Sequence, residues 1–129
     1  MQPRPTAAEL LACVAEVLEQ EIVPALDGPA QHHARVAASL VAIVERELRM
    51  ADAAADRERE ALTPFVAGDH DHDHDHEDLA SVRSALVAAL RSGALDDDGQ
   101  SAAVWSALMR VAHDDLAISK PGHDDWNGD

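Results

Sequence analysis

The sequence predicts an all-α protein, an irregular bundle of four to five helices. Three observations lead there. Alanine supplies 26 of the 129 residues, and it is the best helix former. The only aromatic residues are Phe65, Trp105 and Trp126, so the aromatic side chains that favour strands are scarce, and β-branched residues are modest apart from valine. Every apolar run longer than four residues follows helical spacing rather than alternation. With so much alanine, the helices are expected to approach closely. The length suits a single helical domain over residues 1–129. It carries a His/Asp-rich loop at 69–78 and a polar tail at 122–129 that is expected to be disordered.

The first helix starts at Thr6. Thr6-Ala7-Ala8-Glu9 fits a capping box behind two prolines. Leu11, Val14, Leu18 and Ile22 keep helical spacing, and Leu10 and Val17 widen the stripe. Pro24 must end or kink this helix, and Asp27-Gly28-Pro29 reads as a turn. The second helix is expected from about Pro29 to Met50. Val36, Leu40, Ile43, Val44 and Leu48 form its apolar face, with Arg35 and Arg46 outward. Glu45 and Arg49 stand at i,i+4, a pair that contributes a few tenths of a kcal/mol.

A third, mostly charged helix is expected over Asp52 to Leu62. It is anchored by Leu62 and Phe65 and stopped by Pro64. The fourth begins at Asp78, an N-cap, with Leu79, Val82, Leu86 and Leu90 as its stripe. Gly93 is placed for a C-terminal cap that lets Leu95 fold back. Asp96-Asp97-Asp98-Gly99 reads as a turn. The fifth helix is expected from about Ser101 to Ala117, with Val104, Trp105, Leu108, Val111 and Leu116 as its apolar face. The predicted core is Val14, Leu18, Val36, Leu40, Ile43, Val44, Leu86, Leu90, Val104, Leu108 and Val111. On that reading Leu40→Ala costs roughly 2–5 kcal/mol.

Charge excludes whole classes of partner. The net charge is −15, and no basic footprint for a nucleic acid exists. The same sign opposes anionic membranes, and no uninterrupted apolar run approaches the ~18 residues of a membrane span. No apolar segment follows a basic one at the start, so no signal peptide is expected, and the cytoplasm is the default compartment. Cys13 is the lone cysteine, so no intrachain disulfide forms. Its spacing from Leu10 and Val17 predicts a small buried thiol. The six glycines stand singly, leaving no phosphate-cradling loop, and no nucleophile elbow appears. His113-Asp114-Asp115, at the end of the fifth helix, reads as a solvated cluster rather than a catalytic one.

The constellation with visible chemistry is Asp69-His70-Asp71-His72-Asp73-His74-Asp75-His76-Glu77-Asp78, which holds half of the eight histidines. A segment this polar builds no core. Extended, it puts His70, His72, His74 and His76 on one side and the carboxylates on the other. That is a candidate soft cage for Zn²⁺, Ni²⁺ or Co²⁺. The other reading is a solvated loop that takes up metal only in a test tube.

Three stretches carry a resemblance. The first is Arg4-Pro5-Thr6-Ala7-Ala8-Glu9-Leu10-Leu11, continuing to Val23-Pro24-Ala25-Leu26. The second is His33-Ala34-Arg35-Val36-Ala37-Ala38 with Ile43-Val44-Glu45-Arg46-Glu47-Leu48, and it is the most specific. The third runs from Leu86 to Leu95 and joins Leu116-Ala117-Ile118-Ser119-Lys120-Pro121. Together they resemble an uncharacterised bacterial family of small helical proteins. Its members occur beside, or are labelled with, aminoglycoside-phosphotransferase-like kinases and acyl-CoA dehydrogenases. Ser39 and Lys120 depart from its pattern, where asparagine is expected.

The resemblance implies a non-enzymatic accessory or partner module in a pathway linked to such proteins. Its partner would be kinase-like or acyl-CoA-dehydrogenase-like. Under that reading His33, Arg35 and Glu47 support a docking surface. Without it, His33 reads as a partly buried histidine and the charges as a solvated face. A metal-buffering protein using the Asp-His loop is the alternative, and an enzyme acting on an acyl thioester is a third.

The loop supports a direct test. His70, His72, His74 and His76 should bind Zn²⁺ or Ni²⁺ weakly and reversibly. Protons compete for the same imidazole nitrogens, so affinity should fall as pH drops. The neighbouring carboxylates favour protonated histidine and move that competition toward neutral pH. Calorimetry on the intact chain and on a variant with residues 69–78 replaced checks this. Equal binding by both would place any site elsewhere.

Overall fold

The structure is a computed structural model that describes residues 4–66 and 78–122. Its elements are α1 (Ala7–Val17), a π-helical turn (Leu18–Ile22), α2 (Val23–Ala25), α3 (Gly28–Leu62), a 3-10 turn (Thr63–Phe65), α4 (Leu79–Ser92) and α5 (Asp98–Ser119). No strand occurs among the described residues, so the architecture is all-α. Over the described residues the chain forms two compact units. One draws on Met1–Asp52 and Ala117–Asp129, the other on Ala53–Leu116.

Most local signals at helix ends hold; Asp78 precedes α4, but its side chain makes no capping bond. The Thr6 hydroxyl accepts from the Glu9 amide at 3.2 Å, and the Thr6 amide donates to Glu9 Oε2 at 2.7 Å. Both bonds of the capping box are made. Pro24 acts through the turn before it. A proline there cannot donate to the carbonyl four residues back and its ring crowds that carbonyl. The helix widens over Leu18–Ile22, where the Val23 amide donates to the Leu18 carbonyl. It ends at Ala25, and Leu26 is extended.

Gly93 is left-handed at φ 77°. The Ala94 amide donates to the Ala89 carbonyl and the Gly93 amide to the Leu90 carbonyl. This double closure of the last turn folds Leu95 back into a buried position.

Two boundaries differ from the sequence reading. The second and third expected helices are one, α3, of 35 residues. Its junction at Met50 to Ala55 holds neither glycine nor proline, and alanines there carry the helix through. The fifth helix starts at Asp98 rather than near Ser101. Asp97 caps it: its carboxylate accepts from the Gly99 amide at 3.1 Å, and its carbonyl from the Ser101 amide at 2.8 Å.

The second unit has a core of large side chains. Leu62, Val82, Leu86, Leu95, Val104 and Ala107 form it, with Phe65 and Val66 packed against them. Val82 is fully buried. Among the described residues one charged residue is buried, Glu58. Arg83 meets it with two bonds, Nε to Oε1 and Nη2 to Oε2, each 2.6 Å. The hydrogen bond to Glu58 holds the Arg83 guanidinium above its ordinary pKa, against the opposing effect of burial. Among the described residues no buried side-chain polar atom lacks a partner.

The first unit is built differently. Among its described residues the buried ones are Ala34 and Ala38 of α3. Ala8, Leu11, Ala15 and Leu18 of the first helix are half-buried at helical spacing. Gln31 Nε2 donates to the Val23 carbonyl at 3.0 Å and to the Leu26 carbonyl at 2.8 Å, tying the chain before α3 to its first turn. Arg46 is not an outward charge. It is half-buried, and its Nε donates to the Ile118 carbonyl at 2.7 Å.

The predicted core is therefore half corrected. Leu86 and Val104 are buried, and Leu18, Ile43 and Val111 are half-buried. Val14, Val36, Leu40, Val44, Leu90 and Leu108 are exposed. Trp105 and Cys13 are exposed as well. The reason in the first unit is steric: alanines let helices approach more closely than valine or leucine allow, so the larger side chains fall outside the contact.

Two stability measurements follow. In chemical denaturation Leu86→Ala should cost about 2–5 kcal/mol, whereas Leu40→Ala should stay within about 0.5 kcal/mol. Equal losses would mean that Leu40 is covered. Arg83→Met leaves the Glu58 carboxylate buried without its partner. Because the Arg83 side chain is 58% exposed, the expected cost is cut from the full buried-pair figure to about 1–3 kcal/mol.

Candidate docking surface

The first half of α3 carries apolar residues on two sides. At ~100° per residue, Val36, Leu40, Val44 and Leu48 fall in an arc of about 120°. Its centre lies roughly 120° round the helix from the buried pair Ala34 and Ala38. All four larger residues are exposed, Leu40 at 57% and Leu48 at 56%. A helix apolar over most of its circumference is normally enclosed. Here the inner face is covered and the outer stripe is not.

The same arithmetic sorts the three residues singled out in the sequence. His33 falls at the centre of the arc of the exposed stripe, and Glu47 falls inside it, about 40° from the centre. Both are exposed. Arg35 is exposed too, but it lies about 160° from the centre of the stripe, on the opposite side of the helix. The stripe is thus an apolar ladder with one imidazole near its start and one carboxylate near its end. The His33 ring has the His32 ring as neighbour, centroids 6.0 Å apart and tilted by 56°.

At its far end the stripe meets a second element. Leu48 lines a shallow depression with Glu45, Arg49 and the start of α1 from Pro5 to Ala12. Arg49 Nε donates to Glu45 Oε1 at 2.9 Å, the i,i+4 pair expected from the sequence. That bond raises the Arg49 pKa above its ordinary value. On α1, Leu10, Val14 and Val17 are also exposed at helical spacing, so this helix too keeps an uncovered apolar line.

Sequence reasoning counted Val36, Leu40 and Val44 as core, with Leu48 on the same apolar face, and so missed the four as surface. The available signal was the second apolar set, Ala34 and Ala38, about 120° away. A helix with two apolar faces can bury only one against a single neighbour.

Other sequence candidates end differently. His113 is exposed, and Asp114 accepts from Arg57 Nε at 2.8 Å. His70, His72, His74 and His76 lie outside the described residues. Among the described residues no group of three His, Cys, Asp or Glu side chains is arranged to hold a metal ion, and no helix is long and apolar enough to cross a membrane.

A family model described as a domain of unknown function (DUF6285) matches residues 24–123. The match takes in the whole of α3, with its outer stripe, and α4 and α5. No curated protein and no solved structure matches the chain.

Proposed function

The chain belongs to the DUF6285 family, and we propose that it is a non-enzymatic partner module whose docking element is the outer stripe of α3. The partner is a phosphotransferase-like kinase or an acyl-CoA-dehydrogenase-like protein, the company that the sequence resemblance implies. The observation that carries this reading is the uncovered ladder Val36, Leu40, Val44 and Leu48, with His33 and Glu47 inside it.

The physical argument concerns water. Four branched apolar side chains in one line on an exposed helix cost solvation with no return in the isolated chain. Laid in a partner's groove, residues at i, i+4, i+8 and i+12 supply the anchors of helix-in-groove recognition. His33 and Glu47 then meet polar groups at the two ends, which sets direction along the groove. Arg35, on the far side of the helix, stays outside the groove. The acidic charge of the whole chain favours a partner that is basic around that groove.

A second reading rests on the Asp-His repeat, as a metal-buffering segment that draws on imidazole ligands. It does not compete for the α3 stripe, and the calorimetric titration above tests it separately.

Co-expression with a kinase-like protein of that class tests the partner reading. A complex should co-purify, and Leu40→Lys should abolish it while the helical circular dichroism stays unchanged. Glu47→Lys should weaken it about tenfold, the scale of one charged hydrogen bond. If neither a kinase-like nor an acyl-CoA-dehydrogenase-like protein binds, the reading falls. It falls equally if Leu40→Lys leaves the complex intact.

A further inference from the structure

The second unit holds a cleft of about 500 Å³ between the last turns of α3, the 3-10 turn and the middle of α5. Its volume lies within the ~300–1,000 Å³ of small-molecule sites. Ala61, Pro64, Phe65 and Val111 supply its apolar walls. Phe65 is the chain's one phenylalanine, and it and Pro64 line the cleft with ring side chains. The cleft plays no part in the partner reading and stands independently of it.

Most charges around the cleft are already matched. Both Glu58 oxygens accept from Arg83, and Asp114 accepts from Arg57 Nε. Among the described residues Arg110 and Glu60 form no ion pair. Arg110 is therefore an unmatched guanidinium beside an apolar floor, on a chain whose net charge is −15. A carboxylate fits a guanidinium with two parallel hydrogen bonds. The unmatched Glu60 carboxylate opposes a second negative charge on the ligand, so a dianionic phosphate fits less well than a monoanion.

We propose that this cleft binds a small monocarboxylate with a flat apolar body, its carboxylate on Arg110 and its body against Phe65 and Pro64. Selection follows from the two ends of the site. The apolar walls reject strongly hydrated acids, and Glu60 rejects dianions.

The test is nuclear magnetic resonance titration of the full chain with benzoate, phenylacetate and hexanoate. Benzamide serves as the neutral isostere and inorganic phosphate as the bare anion. Benzoate should saturate at around the millimolar level, in keeping with its few heavy atoms, and should shift the signals of Ala61, Phe65 and Val111. Benzamide should bind at least about tenfold more weakly, as should benzoate to Arg110→Gln. Arg110→Lys, which keeps the charge and loses the fork, should lose less than Arg110→Gln. Glu60→Gln should leave benzoate binding unchanged or tighter and should improve binding of phosphate.

Absence of saturable shifts with all three carboxylates overturns the proposal. So does equal binding of benzoate and benzamide, or phosphate binding as tight as benzoate, which would mark a general anion patch. Arg110 lies on the surface, and unchanged circular dichroism of its variants separates lost binding from lost fold.

Discussion

The two hydrogen bonds from Arg83 to the buried Glu58 carboxylate organise the second unit. A carboxylate in that position without a partner would be among the costliest groups a small domain can carry. With Arg83 in place, Glu58 stands one turn before Leu62, and Arg83 follows directly on Val82. The ion pair and the apolar contact thus demand the same register of α4 against α3. Val82 and Leu86 are then seated in one core with Leu62, Leu95, Val104 and Ala107. The Gly93 turn continues the arrangement, because its left-handed closure returns Leu95 to that core. Polar and apolar demands agree here, and such agreement lets a modest core specify one packing.

The first unit obeys a different constraint. Its inner contacts are made with alanine, which permits close backbone approach but buries little apolar area per residue. The larger side chains of α3 and α1 are left at the surface. Stability there draws on caps and specific bonds: the Thr6–Glu9 capping box, the two bonds from Gln31, and the bond from Arg46 to the Ile118 carbonyl. An arrangement that is apolar outside and alanine-lined inside has free energy left to gain by association. This is the physical ground for assigning the outer stripe of α3 to a partner. Residues 24–123, matched by the DUF6285 family model, include that stripe and leave out the capping box of α1.

The two candidate sites differ in kind. The stripe is convex, apolar and linear, which suits a protein groove. The cleft of the second unit is concave, with rings on its wall and an unmatched guanidinium at its side, which suits a small acid. Neither contains a nucleophile with an activating base, and the cysteine of the chain is far from having one: nothing in its sequence surroundings supplies a histidine or a cation.

Much of the local structure was determined by the sequence alone. Thr6-Ala7-Ala8-Glu9 specifies a helix start because both partners of its cap lie within four residues. Gly93 specifies a stop because few other residues accept its backbone angles. The Glu45–Arg49 pair and the all-α class likewise rest on short-range rules. Where helices continue was less legible. Alanines around residue 52 carry α3 across a boundary that a change in composition suggested. Only the tertiary structure decided which face of α3 is inside. Ala34 and Val36 are both apolar, and periodicity weighs the larger residue more heavily. Close packing instead selects the smaller one for the contact, leaving Leu40 outside. The Glu58–Arg83 pair was equally invisible, since its partners are 25 residues apart and no periodicity links them. Short-range hydrogen bonds and backbone angles are encoded locally. The choice between two apolar faces of one helix depends on what packs against it.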